Sequence, residues 1–205
     1  MSNTSATGGP LSPEPPLPFD DVQLDKVFQN LATNLTGLPG NYVRPRWQAG
    51  NPLSAGTPKQ PEPGINWCAI GVTSVIQDDG PWIVYNPNTN NSLYWDHEEI
   101  EVIASFYGPN SQSNARLLRA GLNVPQNTEV LLQYMIRYVS CSQIRQVPEL
   151  VNEQWIKRQD VMFFFRRKFQ MIYDTENILI ADINLIDDTS IDDTIIVPPG
   201  SQIKP

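Results

Sequence analysis

The segment VPELVNEQWIKRQDVMFFFRRKF (Val147–Phe169) opens on a proline-marked polar run and closes on three phenylalanines followed at once by three cations. On a strand beginning at Asp160, alternation sends Val161, Phe163, Phe165, Arg167, Phe169 and Met171 to one face. Met162, Phe164, Arg166, Lys168 and Gln170 fall on the other. The first face is apolar for most of its length, which predicts a sheet with a buried side. The second changes from apolar to basic. Its cations read either as solvated charge or as a patch that meets a complementary partner, and they also hinder strand-edge aggregation.

The same period recurs upstream. In Leu93–Tyr107, Ile100, Val102, Ala104 and Phe106 alternate with Glu99, Glu101, Ile103 and Ser105, so a second strand has one apolar and one mixed face. Trp67–Gln77 is a further strand, and PNTNN (87–91) signals a hairpin-like turn. YVSCSQIRQV (138–147) and NILIADINLI (177–186) complete the strand candidates. Helical spacing appears in Val22, Leu24, Val27, Phe28, Leu31 and Leu35, with Asp20 and Asp21 placed to cap the start and GLPG (37–40) to stop it. A shorter helix carries Ala115, Leu117, Leu118 and Leu122, and another piece starts at Asn127 as N-cap. Helix, strands, helix, strands with hairpin-like links predict an α+β fold, its sheet mainly antiparallel and its helices packed on one face.

The chain has 205 residues, 40% of them hydrophobic, enough for one core with tails. Residues 1–18 are rich in Pro, Ser, Gly and Thr and read as an N-terminal arm. Residues 19–186 form the α+β domain. Residues 187–205, with four aspartates and three prolines against one lysine, form an acidic C-terminal arm. The prolines at 45, 52, 58, 61 and 63 mark an irregular interaction loop. No signal peptide and no membrane-spanning run is visible, so a soluble protein folded in a cytoplasm is expected. Cys68 and Cys141 are expected as buried free thiols.

Net charge is −8, which argues against a surface that wraps nucleic acid, since phosphate neutralisation needs clustered Lys and Arg. No phosphate-binding loop, dinucleotide fingerprint, C-x-x-C or H-E-x-x-H occurs. The one histidine, His97, reads as a polar turn or strand-edge residue. No catalytic, cofactor or metal site is expected. Five tryptophans suit either a core or a subunit interface. For Trp47 and Trp155 the polar neighbours RPRWQ and NEQWIKR favour the interface as much as the core. The candidate interface residues are Arg44, Arg46, Trp47, Trp155, Lys157, Arg158, Arg166, Arg167 and Lys168, with arginine suited to gripping a neighbour's carboxylates.

EVIASFYGPNSQSNARLLRAGLNVPQN, VSCSQIRQVPELVNEQWIKRQDVMFFFRRKF and ILIADINL together resemble the phage neck terminator family, over about Phe19 to Ile186. The resemblance implies a structural virion protein that forms a ring, by analogy a hexamer, at the head-proximal end of the tail tube. The ring would stop tube growth and contact the tube protein, connector, adaptor or head-completion proteins and a tail sheath, with DNA only in transit and no membrane contact. Localisation would be the virion neck, after assembly in the host cytoplasm. A head-completion, adaptor or tail-tube protein is the alternative within this class. A small-ligand module or enzyme is the alternative outside it, and a deep polar pocket at His97 would favour that reading.

Overall fold

The computed structural model describes residues 8–47, 61–78, 80–151 and 153–175, together with the backbone of two short strands at 184–185 and 193–194. In chain order the elements are β1 (Pro13–Glu14), α1 (Asp21–Thr36), a 3-10 turn (Gly40–Tyr42), β2 (Val43–Pro45), β3 (Trp67–Gln77), β4 (Trp82–Asn86) and β5 (Asn91–Tyr107). There follow α2 (Ser111–Leu122), α3 (Pro125–Thr128), a 3-10 segment (Glu129–Tyr134), β6 (Ile136–Cys141), β7 (Arg145–Gln146), β8 (Glu149–Val151), β9 (Gln154–Ile156), β10 (Arg158–Tyr173), β11 (Asn184–Leu185) and β12 (Asp193–Thr194). The fold is α+β. They group into two compact units, one of residues 16–82 and 94–171, the other of residues 1–15, 83–93 and 172–205.

The larger unit holds the core. Its sheet runs β2–β3–β5–β10, with β6 and β7 along the far side of β10. β3 pairs antiparallel with β5, and β10 pairs antiparallel with β6 and β7. β2 is the exception, joining β3 in parallel. Helix α1 buries Leu24, Val27, Phe28, Leu31 and Ala32 against the sheet, and α2 buries Ala115, Leu118 and Leu122. Beneath them lie Ile100, Val102, Ala104 and Phe106 of β5 and Val161, Phe163 and Phe165 of β10, each no more than 1% exposed. Phe28 and Phe165 meet with ring centroids 4.9 Å apart, fixing α1 over the middle of β10. Gly37 ends α1 in the left-handed region (φ 71°), where a side chain would be strained, so GLPG is a stop for a backbone reason.

A smaller cluster lies on the opposite face of the sheet. Ala69, Tyr107 and Ile156 are buried there with Trp67 packed beside them. Trp67 and Tyr107 are register partners on β3 and β5, and their rings stack at 4.1 Å.

In the smaller unit, β1 pairs with the end of β10 through Pro13–Tyr173 and Glu14–Ile172, β11 pairs with β12, and Ser92 Oγ and Thr175 Oγ1 lie 2.6 Å apart. Most of NILIADINLI and of the acidic arm lies outside the described residues.

Several local expectations are revised. Leu117 points to solvent, because α2 buries only the stripe that faces α1 and the sheet. Val22 is exposed for the same reason at the start of α1. Asn127 does not cap a helix; α3 starts at Pro125, whose missing N–H suits a first turn, and Asn127 Nδ2 instead donates to the Gly121 carbonyl at 2.9 Å. Cys68 is buried and Cys141 half-buried, both free thiols. Burial pushes the Cys68 thiol well above its ordinary pKa, which leaves it without thiolate character.

Candidate assembly surface

The polar opening of Val147–Phe169 folds into the β8–β9 hairpin. Its register sets Leu150 opposite Trp155 and Glu149 opposite Ile156. Alternation then divides the hairpin: Ile156 turns inward to Tyr107 and Ala69, while Leu150 and Trp155 turn outward, 57% and 71% exposed. Two large apolar side chains held side by side in solvent form a built apolar knob, not a scattered exposure.

Arg158 fastens the base of that hairpin. Its guanidinium grips Asp160 with two hydrogen bonds, at 2.8 and 2.7 Å, reaches Glu149 at 3.4 Å and lies 5.7 Å from the Tyr107 ring centroid. The Asp160 bond raises its pKa further, so the charge is permanent. Its role is internal positioning. Lys157, its neighbour, is exposed.

Arg46 and Trp47 continue the path of β2. The Arg46 N–H donates to the Ile70 carbonyl at 2.8 Å, and its guanidinium donates to the Ser105 hydroxyl. That guanidinium lies 5.8 Å from the Trp47 ring centroid. Trp47, 60% exposed, rests on Gly71, where an added Cβ would come within 2.9 Å of the ring. The glycine supplies a flat shelf for the indole. Arg44 is half-buried and donates from Nε to the Asn41 carbonyl at 3.1 Å.

The three consecutive cations have three different environments. Arg167 is 5% exposed, bound to Glu98 Oε1 at 2.5 Å, to Asp20 Oδ1 at 2.7 Å and to the Phe19 carbonyl. It stitches the residues leading into α1 onto the sheet, which explains why Asp20 makes no side-chain cap: its carboxylate is directed to Arg167. Glu98 is buried with it; desolvation raises its pKa and the guanidinium opposes the rise. The placement of Arg167 among interface cations therefore gives way to an internal role. Arg166, on the other face, is mostly exposed and, among the described residues, paired with Asp78 just after β3. Lys168 is exposed, its ammonium 4.0 Å from the Trp95 ring centroid.

The structure thus brings together Leu150 with Trp155 and Arg46 with Trp47, and it separates Arg167 from Arg166 and Lys168. Sequence reading missed Leu150, whose position opposite Trp155 follows only from the hairpin register. It also missed Trp82, which is among the most exposed large apolar side chains. His97 is exposed on β5, and no group of His, Cys, Asp and Glu suited to a metal occurs among the described residues.

No curated protein sequence matches the chain. A family model does: that of the phage neck terminator protein, over residues 23–194, from the first turn of α1 to β12.

Proposed function

Because the chain belongs to the phage neck terminator family, a structural family of the virion, we propose that it forms a ring, by analogy a hexamer, that ends the tail tube at its head-proximal side. The ring joins the tail to connector or head-completion proteins and lets DNA pass through its bore. The observation that carries this reading is the outward Leu150–Trp155 pair, an apolar knob built on a hairpin whose base is fastened by Arg158.

A closed ring needs two different complementary patches on each subunit. Leu150, Trp155 and Lys157 supply one candidate patch. Trp47 on its Gly71 shelf, with Arg46 and Arg44 beside it, supplies another, and Arg166 and Lys168 offer the charged part. Exposed Trp and Arg are the residue types that anchor interfaces. Net charge of −8 suits a conduit, since a bore without cation clusters does not hold DNA phosphates.

The test is the position of the chain in a reconstruction of assembled particles. A ring between tail tube and connector is expected. Density for the chain in the head, along the tube or outside the neck overturns the reading, and the first two positions would indicate a head-completion or a tube protein.

A further inference from the structure

A cleft of about 260 Å³ opens beside β6, lined by Pro125, Thr128, Glu129, Leu132, Arg137 and Tyr138. The local chain builds it. Pro125 starts α3, the 3-10 segment follows, and Met135, in the left-handed region (φ 56°), turns the chain into β6. Tyr138 packs edge-on against Phe165, ring centroids 5.7 Å apart, which holds one wall in place. The volume is below the roughly 300–1,000 Å³ typical of small-molecule sites and suits one large side chain. Its charges lack partners: among the described residues neither Glu129 nor Arg137 has an ion pair. Arg137 also stands directly opposite Arg166 on β10, and Arg166 is paired with Asp78. Opposed like charges are destabilising, and a carboxylate arriving beside Arg137 offsets that cost.

From these observations, and resting on the ring reading above, we infer that the cleft receives Trp155 of a second copy of the chain, with Glu153 of that copy toward Arg137 and Lys157 toward Glu129. Three features select this occupant. The first is charge. Glu153 and Lys157 stand two residues either side of Trp155, are exposed, and like the two charges of the cleft have no ion pair among the described residues. Of the other exposed tryptophans, Trp47 stands in RPRWQ, beside cations alone, and Trp82 in GPWIV, beside no charge. The second is the indole. A buried Trp usually finds an acceptor for its N–H, and the Thr128 hydroxyl and Glu129 carboxylate offer one, with Pro125, Leu132 and Tyr138 to cover the ring. The third is distance. The hairpin is rooted at Arg158, whereas Arg137 lies opposite Arg166, eight residues further along β10 and about 26 Å away at the rise of a strand. Trp155, three residues before Arg158, cannot reach its own cleft. Knob and cleft are different surfaces of one chain, the head-to-tail arrangement from which a ring is closed.

The test uses the full-length chain in assembled particles. Lys157→Glu and Glu129→Lys are each expected to lower the yield of joined particles at least about tenfold, because like charges then meet at every contact of the ring. The double variant places an opposite pair at each contact again and is expected to recover most of the native yield. Urea unfolding midpoints of the purified subunits should be nearly unchanged in all three, since the substituted side chains are exposed. Should one of them misfold, Glu153→Lys with Arg137→Glu repeats the test. In native particles a carbodiimide, which condenses an amine with a carboxylate in direct contact, should join Lys157 to Glu129 in a species of dimer mass, identified by peptide mass spectrometry. Normal yield from both single variants overturns the docking. A neck ring that shows neither rescue nor cross-link overturns it as well and leaves the ring reading intact. A chain located outside the neck overturns the ring reading and this inference with it.

Discussion

The two faces of β10 carry nearly the same residue types and fold to opposite ends. On the helix-covered face, Val161, Phe163 and Phe165 are sealed beneath α1, and even the cation that continues the row, Arg167, is buried, bonded to the buried Glu98 carboxylate, the more exposed Asp20 carboxylate and a carbonyl. On the other face, Met162 and Phe164 are half-buried, and Arg166 and Lys168 are exposed. Arg166 and Arg167 are adjacent in sequence, yet one is part of the interior and the other of the surface. Parity on the strand, not residue type, decides the role.

The comparison breaks first at the phenylalanines. Phe165→Ala, which removes a ring packed on Phe28 and Tyr138, is expected to cost about 3–5 kcal/mol in urea unfolding. Phe164→Ala on the open face should cost well under half as much. Equal losses would show that both faces are core.

The cations give the next contrast. Arg167→Met strands Glu98 in a dry site and should destabilise by about 3–5 kcal/mol, the usual result of removing one partner from a buried pair. Arg166→Met loses a mostly exposed ion pair and should change stability by no more than about 1 kcal/mol. Comparable effects at the two sites would refute the division.

Assembly should respond in the reverse order. Trp155→Ala and Arg166→Glu are expected to leave the unfolding midpoint of the subunit nearly unchanged while lowering the yield of joined particles. Normal particle yield from both variants would remove the open face and the hairpin from the interface.

The smallest effect concerns pH. Burial holds the pKa of Glu98 above its ordinary 4.5, so the folded state binds that proton more tightly than the unfolded state. Its contribution is therefore full below the ordinary value and is lost as pH rises through the raised one. Glu98→Gln cannot titrate, and its stability relative to the native chain should improve across that window. A constant difference from acid to neutral pH would contradict the assignment.

Much of this arrangement was legible in the linear pattern. Alternation at Ile100–Phe106 and Val161–Phe165, helical spacing at Leu24–Leu31 and the stop at Gly37 identified the α+β class, the buried face and the two packed helices. The resemblance to the neck terminator family rested on three stretches, residues 101–127, 139–169 and 178–185, and the family match spans them. The candidate interface was legible only in part. Trp47 and Trp155 were singled out by their polar neighbours and are indeed exposed, whereas Leu150 was invisible until its hairpin register paired it with Trp155.

What the chain determined by itself was every feature set by neighbours a few residues apart: periodicity, turn chemistry, proline breaks and the burial of one strand face. Tertiary structure alone decided the features whose partners are distant. Arg167 is internal because Glu98, Asp20 and Phe19 converge on it from 69, 147 and 148 residues away. Asp20 serves that arginine instead of its own helix. β2 adds to β3 in parallel across a proline-rich connection that no local pattern encodes. Local sequence sets which face a side chain takes; closing long loops sets what waits there, and a charge becomes part of the interior only where that closure brings it counter-charges.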